Sequence, residues 1–268
     1  MSHYDVVIVN YNTGDLLKEA VESVLHHSQV SKIYIVDNNS KDSSMKFTSD
    51  DCRIKKIYRK RNYGFASSCN YGAALSTHKN ILFLNPDCVL LENVAPLLTD
   101  LESKKSIAVV GCLVTNKDGT EQRASRRRLP TLMRAIKTYS GLEKYANKSS
   151  CLAGVNLTHE PMPEKTVYCE AISGAFILMK KRVFSEIKGF DEAFPMHFED
   201  LDLFKRTINS GYQIAFNPHV KVKHYQGTSS VSNPKVKQYK KQGLRLYFRK
   251  HCSYLSSVII DSMSRFLA

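Results

Sequence analysis

Three short, largely apolar runs, each closed by an asparagine or an aspartate, constrain this chain most. Tyr4–Val9 is β-branched and unbroken, and Asn10 follows it. Lys32–Val36 runs into Asp37-Asn38-Asn39-Ser40, and Asn80–Leu84 runs into Asn85-Pro86-Asp87. An apolar run without polar alternation reads as a strand covered on both faces. Asn, Asp and Pro end such strands. Between them, Leu16, Leu17, Ala20, Val21, Val24 and Leu25 recur at helical spacing, and Phe65–Leu75 reads as a helix after the turn Asn62-Tyr63-Gly64. Ile54–Tyr58 and Ile107–Val114 add strands. The alternation predicts an α/β chain built on a mostly parallel sheet with helices on both faces.

In open sheets of this kind, ligands bind beyond the carboxyl ends of the strands. Two predicted strands end in an aspartate there, Asp37 and Asp87. Asp37 can accept a hydrogen bond from the ring N–H of a pyrimidine. Asp87 can ligate a hard divalent cation that bridges two phosphates. Both also fit as ordinary turn residues. The segment Arg59-Lys60-Arg61-Asn62-Tyr63-Gly64-Phe65-Ala66 sets cations and a glycine before a helix, an arrangement suited to phosphate oxygens. It is neither a Walker loop nor a dinucleotide fingerprint. Asn70, two turns into that helix, is a polar handle for a sugar hydroxyl or an exposed residue.

Regularity falls away over Thr115–Thr166, which carries Arg123, Arg126, Arg127 and Arg128 and reads as an insertion over the sheet. It returns at Ala171–Met179. Three carboxylates, Glu199, Asp200 and Asp202, then follow the aromatic stretch Phe194–Phe198, and Leu201, Phe204 and Ile208 supply one buried helical face. A carboxylate at such a helix start either caps the backbone N–H groups or projects into a cleft as a general base.

Net charge is +14, and from Leu203 to Ile260 there are eleven Lys or Arg residues and no acid. That bias points to an anionic partner (a phosphate-bearing substrate, an acidic membrane or nucleic acid) or to a solvated basic face. From Pro234 onward, Tyr247, Leu255, Ile259, Met263 and Phe266 fall at roughly helical spacing among the basic residues, a combination that suits an anionic membrane surface. No nucleic-acid motif accompanies the charge. The seven cysteines form no C-x-x-C pair and suit a reducing cytosol. Met1–Asp5 lacks the features of a signal peptide, and no apolar run approaches the ~20 residues that span a bilayer. The expectation is a cytoplasmic protein, peripheral to the inner face of the membrane.

Taken in order, these pieces resemble the family 2 glycosyltransferases of GT-A fold, and among them the rhamnosyltransferase-like bacterial enzymes of surface-polysaccharide assembly. The resemblance is carried by Val9-Asn10-Tyr11-Asn12, Val36-Asp37-Asn38-Asn39-Ser40, Asn62-Tyr63-Gly64-Phe65-Ala66 with Asn70, and Asn85-Pro86-Asp87. Ser173-Gly174-Ala175, Gly189-Phe190-Asp191-Glu192, Phe198-Glu199-Asp200-Leu201-Asp202 and His224-Tyr225-Gln226-Gly227-Thr228-Ser229 complete it. It covers roughly residues 4 to 230, leaving 231–268 as a basic helical extension.

The resemblance implies roles. Asp37 and Asn10 lie at the nucleoside, with Asn62, Gly64, Asn70 and Asn85 also toward the donor. Asp87 and His224 hold Mg²⁺ or Mn²⁺, with Asn85 replacing the first charged residue of the family's metal motif. Asp200 is the catalytic base, with Glu199 beside it. The implied reaction is an inverting transfer from a dTDP- or UDP-sugar, dTDP-rhamnose first, to a glycan or lipid-linked glycan. A sugar-phosphate nucleotidyltransferase is the alternative among enzymes, although Val9-Asn10-Tyr11-Asn12-Thr13-Gly14 is a poor version of its glycine-rich loop.

Overall fold

The computed structural model describes residues 2–146, 151–225 and 234–266. The last part of the His224 motif and the expected boundary near residue 230 lie outside them. The first half alternates as the sequence predicts: β1 (Tyr4–Asn10), α1 (Leu16–Leu25), β2 (Val30–Asp37), β3 (Ile54–Tyr58), α2 (Phe65–Leu75) and β4 (Asn80–Leu84). Then come β5 (Cys88–Leu90), α3 (Ala95–Ser103) and β6 (Ile107–Thr115). The insertion holds β7 (Arg126–Arg127) and α4 (Leu132–Tyr139). The rest is β8 (Val167–Cys169), β9 (Ala171–Ile172), β10 (Phe176–Lys180), α5 (Lys181–Glu186), α6 (Glu199–Asn209), β11 (Gln213–His224), α7 (Pro234–His251) and α8 (Tyr254–Phe266).

One sheet runs β3-β2-β1-β4-β10-β6-β11-β5, with β8 also paired to β11. Strands β3, β2, β1 and β4 are mutually parallel. β10 is antiparallel to both its neighbours, so β6 and β11 return to the direction of β1. Six of the nine strands thus point one way, with β5, β8 and β10 opposed. The run Ala171–Met179 is divided by Ser173-Gly174-Ala175, and only its second part enters the large sheet.

The two faces are covered by different helices because successive strand side chains alternate. Tyr4, Val6 and Ile8 pack with Leu17 and Val21 of α1 and Leu97 of α3. Val7 and Val9 pack with Ala66 and Cys69 of α2 and Phe204 of α6. The insertion joins this second core through Leu129 and Ala135. Its hub is Glu143, which is buried and accepts from Thr138 Oγ1 and Asn156 Nδ2 and pairs with Arg123.

Residues of the expected C-terminal extension share the same core: Leu244, Tyr247, Phe248 and Ile260 belong to it. An ionic network fixes the docking. Asp202 of α6 is fully buried and lies 2.6 Å from Arg206 and 2.7 Å from both Lys250 and His251 of α7. Burial alone would raise the Asp202 carboxyl, but hydrogen bonds from His251, Arg206 and Lys250 overcome it and hold it at about 2. α8 folds back on α7 through Arg245–Ser264 and Arg249–Asp261, leaving Tyr254, Leu255 and Val258 exposed on its far side. Among the described residues, no helix is long and apolar enough to cross a membrane.

Candidate active site

The ends of β1 and β2 lie side by side, Asn10 opposite Asp37, because the parallel register carries both strands to the same edge. Asn10 is fully buried and its Nδ2 donates to Asp37 Oδ1 at 2.8 Å and to Ser44 Oγ at 2.8 Å. Asp37 Oδ2 accepts from Ser40 N at 3.0 Å, so the carboxylate also shapes the loop that follows it. Asn38 reaches across to the next helix: its Oδ1 accepts from Ser68 Oγ and its Nδ2 donates to Gly64 O. This ties the Asp37 loop to the start of α2, where Gly64 occupies the N-cap with φ 85° and Asn62 Oδ1 accepts from Gly64 N. Arg59 sits between the rings of Tyr63 and Tyr71, 4.3 and 4.5 Å from their centroids, and its backbone N–H donates to Asp37 O. Asn70 lies further along α2, where both ends of its amide bind the main chain of Phe190 at 2.9 Å. Its structural work is to hold the loop that leads to α6.

The end of β4 meets the end of β11. The antiparallel pairing of β11 with β5 sets His224 opposite Cys88, beside Asp87. His224 Nε2 lies 3.2 Å from Asp87 Oδ1, and its Nδ1 lies 2.8 Å from Gln122 Oε1. Asp87, Cys88 and His224 are the cluster among the described residues whose donor atoms converge tightly enough for a cation, all within 4.8 Å. Burial, with the nearby Asp87 charge, pushes the Cys88 thiol well above its ordinary value and keeps it protonated. A neutral thiol is a poor ligand for a hard cation, so Asp87 and His224 are the effective pair. Gln122 Oε1 and Asp87 Oδ1 flank the two ring nitrogens of His224 and so set the plane of the ring. A carboxylate oxygen and a ring nitrogen this close together fit a cation. Asn85 is held from its backbone, N–H to Ala175 O at 2.9 Å.

The third group is carried by α6. Its N-cap position is Phe198, without a side-chain cap, so neither acid before Leu201 serves as the cap. His197 and Phe198 are both left-handed, with φ 65° and 69°. Such backbone costs roughly 1–2 kcal/mol per non-glycine residue. Burial of Phe198, its ring 6.0 Å from that of Tyr247, offsets the cost. α7 approaches this turn so closely that a Cβ on Gly243 would fall 2.6 Å from His197 O. The turn aims two adjacent carboxylates differently. Asp200 Oδ1 accepts from Leu201 N at 2.8 Å, and Oδ2 lies 2.5 Å from Arg127 Nη2. Glu199 is buried with Oε2 lacking a hydrogen-bond partner; burial, and then the Asp200 charge, push its carboxyl up to about 8.

Ser173-Gly174-Ala175 lies between Asn85 and Asp200. Ala175 O accepts from Asn85 N, and Gly174 lies directly under the Asp200 carboxylate. Arg127, Gln122, Asn38 and Gly243 adjoin the candidate site without having been given a role from sequence. Asn38 sits inside a motif that named only its neighbour Asp37. The other three lie in segments without periodic pattern or far along a helix, and no local signal marks them.

Residues 5–159 match the family model described as Glycosyl transferase family 2, more than half of the chain. The rhamnosyltransferase WbbL of Escherichia coli is 24% identical over 82% of this chain and 82% of its own. The N-acetylglucosaminyl-diphospho-decaprenol L-rhamnosyltransferase of Mycobacterium tuberculosis is 23% identical over 85% of this chain and 78% of its own. Among solved structures, GalNAc-T7 with UDP, GalNAc and Mn²⁺ superposes with a TM-score of 0.64 at 18% identity. That match covers 98% of this chain but only 54% of GalNAc-T7, so this chain spans about half of that protein. At such identity the likeness establishes the architecture, which is the GT-A fold.

Proposed function

The chain belongs to glycosyl transferase family 2, and on that premise we propose that it transfers a sugar from a nucleoside-diphosphate donor to a hydroxyl of a glycan or lipid-linked glycan, with inversion. Rhamnose from dTDP-rhamnose is the first donor to test, because the rhamnosyltransferases above align with most of the chain. Another dTDP- or UDP-sugar is next.

The observation that carries this reading is the turn Ser173-Gly174-Ala175, which touches Asn85 on one side and Asp200 on the other. Its contacts fall on the candidate base and on the residue two before the candidate metal aspartate, which supports reading the two as parts of one site. In the mechanism, the acceptor hydroxyl oxygen attacks the anomeric carbon as the bond to the diphosphate breaks. Asp200 takes the hydroxyl proton, leaving the sugar inverted. Asp87 and His224 would hold Mg²⁺ or Mn²⁺, which when bound neutralises the departing diphosphate. Asp37 and Asn10 receive the base and ribose. Asn62, Gly64 and the cations Arg59 and Arg61 lie toward the phosphates at the start of α2. Asn85 lines the donor side beside Asp87, and Asn70 supports it through the Phe190 loop.

The acceptor is met, in this reading, at an anionic membrane surface on the cytoplasmic side. Its support is the exposed apolar side of α8 next to the acid-free basic stretch. A donor panel scored by acceptor-dependent nucleotide release tests the function. Release of dTDP or UDP from a nucleotide-sugar is expected; turnover only with a nucleoside triphosphate and a sugar phosphate would replace the reading with nucleotidyl transfer.

A further inference from the structure

We propose that Arg127 is the positioning residue for Asp200, fixing the direction of the carboxylate that receives the acceptor's proton. The proposal rests on the reading of Asp200 as the base and adds to it a residue of the insertion.

Arg127 is anchored at both ends. Its backbone lies in β7, paired to β9 with Arg127 opposite Ala171. Its guanidinium then turns back onto the same strand, with Nε 3.2 Å from Ile172 O and Nη2 also on that oxygen. The residue is 9% exposed. A planar guanidinium gripped in this way has one direction left for Nη2, and Asp200 Oδ2 lies on it at 2.5 Å. The carboxylate is equally constrained: Leu201 N holds Oδ1, and Gly174 forms the floor under Oδ2. Two elements whose paired residues are 73 positions apart in sequence therefore specify one carboxylate rotamer.

The charges around the pair make the contact consequential. Glu199, buried beside Asp200, is pushed up to about 8 and is mostly neutral at pH 7. His197, on the turn before α6, is pulled down by burial and by the charge of Lys240 on α7, so it too is neutral there. Lys240 in turn is pulled down by burial and by Arg123 of the insertion, and Arg123 is paired with Glu143. Arg127 faces Asp200 at the centre of these groups. A guanidinium donates to a carboxylate through a short, directional hydrogen bond, which fixes where Oδ2 points.

The test is Arg127→Gln, with Arg127→Lys beside it, read as turnover against nucleotide affinity by nucleotide release and calorimetry. Turnover of the active donor should fall about 10–100-fold in Arg127→Gln while dTDP or UDP binding stays within ~2-fold of the parent. In Arg127→Lys turnover should also stay low, because an ammonium cannot span Ile172 O and Asp200. Parental turnover in Arg127→Gln, or an equal loss of nucleotide binding, would reduce Arg127 to a structural residue. If that variant does not fold, parental turnover in Arg127→Lys overturns the proposal just as well. Asp200→Asn turnover is measured alongside: activity there rejects the base itself, whereas a dead Asp200→Asn with a parental Arg127→Gln rejects only the positioning role.

Discussion

The Asp200 carboxylate lies against the α-carbon of Gly174, where a methyl group would come 2.7 Å from Oδ2 and 3.1 Å from Cγ. Asp200 has nowhere to retreat, because Leu201 N and Arg127 hold its two oxygens. Gly174→Ala should therefore displace the carboxylate rather than the strand. Overpacking of this kind costs about 1–3 kcal/mol of stability. Turnover should fall about 10²-fold, as expected for a misplaced catalytic group, while dTDP or UDP binding changes less than ~2-fold. Calorimetry and nucleotide release on the same preparation check both. Parental turnover would show that the site does not depend on this contact.

His224 sits between Asp87 and Gln122, with Nε2 on the Asp87 side and Nδ1 on the Gln122 side. Excess chelator should abolish transfer, and Asp87→Ala should lose the cation-dependent part of nucleoside-diphosphate binding. His224→Ala should do less damage, because water can fill a six-coordinate shell. Gln122→Leu, which touches no ligand position, should weaken the Mn²⁺ requirement curve about 10–100-fold by releasing the ring. Full activity in chelator would remove the metal from the mechanism.

What was legible in the sequence was what local pattern encodes. β1, β2 and β4 are apolar runs ended by Asn10, Asp37 and Asn85-Pro86-Asp87, and they are strands whose ends meet at one edge. The direction of β10 was not legible, since an apolar run has the same pattern either way. Nor was the Arg127–Asp200 pair, whose members are 73 residues apart. Asp202 illustrates the division: its pair with Arg206 is a helical i, i+4 spacing, but Lys250 and His251 reach it only through the docking of α7. The same docking explains Gly243, a glycine inside a helix that costs stability unless something approaches it. That something is His197 O, at the turn before Glu199.

The membrane reading is tested on α8, not by truncation, since removing α7 would strip Tyr247 and Phe248 from the core. Leu255 and Val258 are 68% and 42% exposed and lie one turn apart on the same side as Tyr254. Leu255→Glu with Val258→Glu should leave the melting temperature nearly unchanged and abolish flotation with vesicles rich in anionic lipid. Binding by the parent should also weaken with salt, since basic residues contribute about 1 kcal/mol each near an anionic surface. Equal flotation of both proteins would reject the surface.

Asp200 and Glu199 are adjacent but differ in kind, and that separates their variants. Asp202 and Asp191 are tied to Lys250, and Asp202 also to His251 and Arg206, so neither competes for the role of base. Asp200→Asn should keep the fold and donor affinity and cut turnover about 10²–10⁴-fold, the usual contribution of a general base. Glu199→Gln should slow chemistry less but change stability against pH. Because the folded carboxyl of Glu199 is raised to about 8, its favourable contribution is fully present below the ordinary glutamate value near 4.5 and is lost as pH rises through 8. The parent should therefore melt progressively lower than Glu199→Gln between pH 5 and 8, by several degrees at the upper end, with the two converging toward pH 4. Parallel melting curves across that range would mean that Glu199 is ionised in the folded protein. The central charge balance would then have to include a second carboxylate facing Arg127.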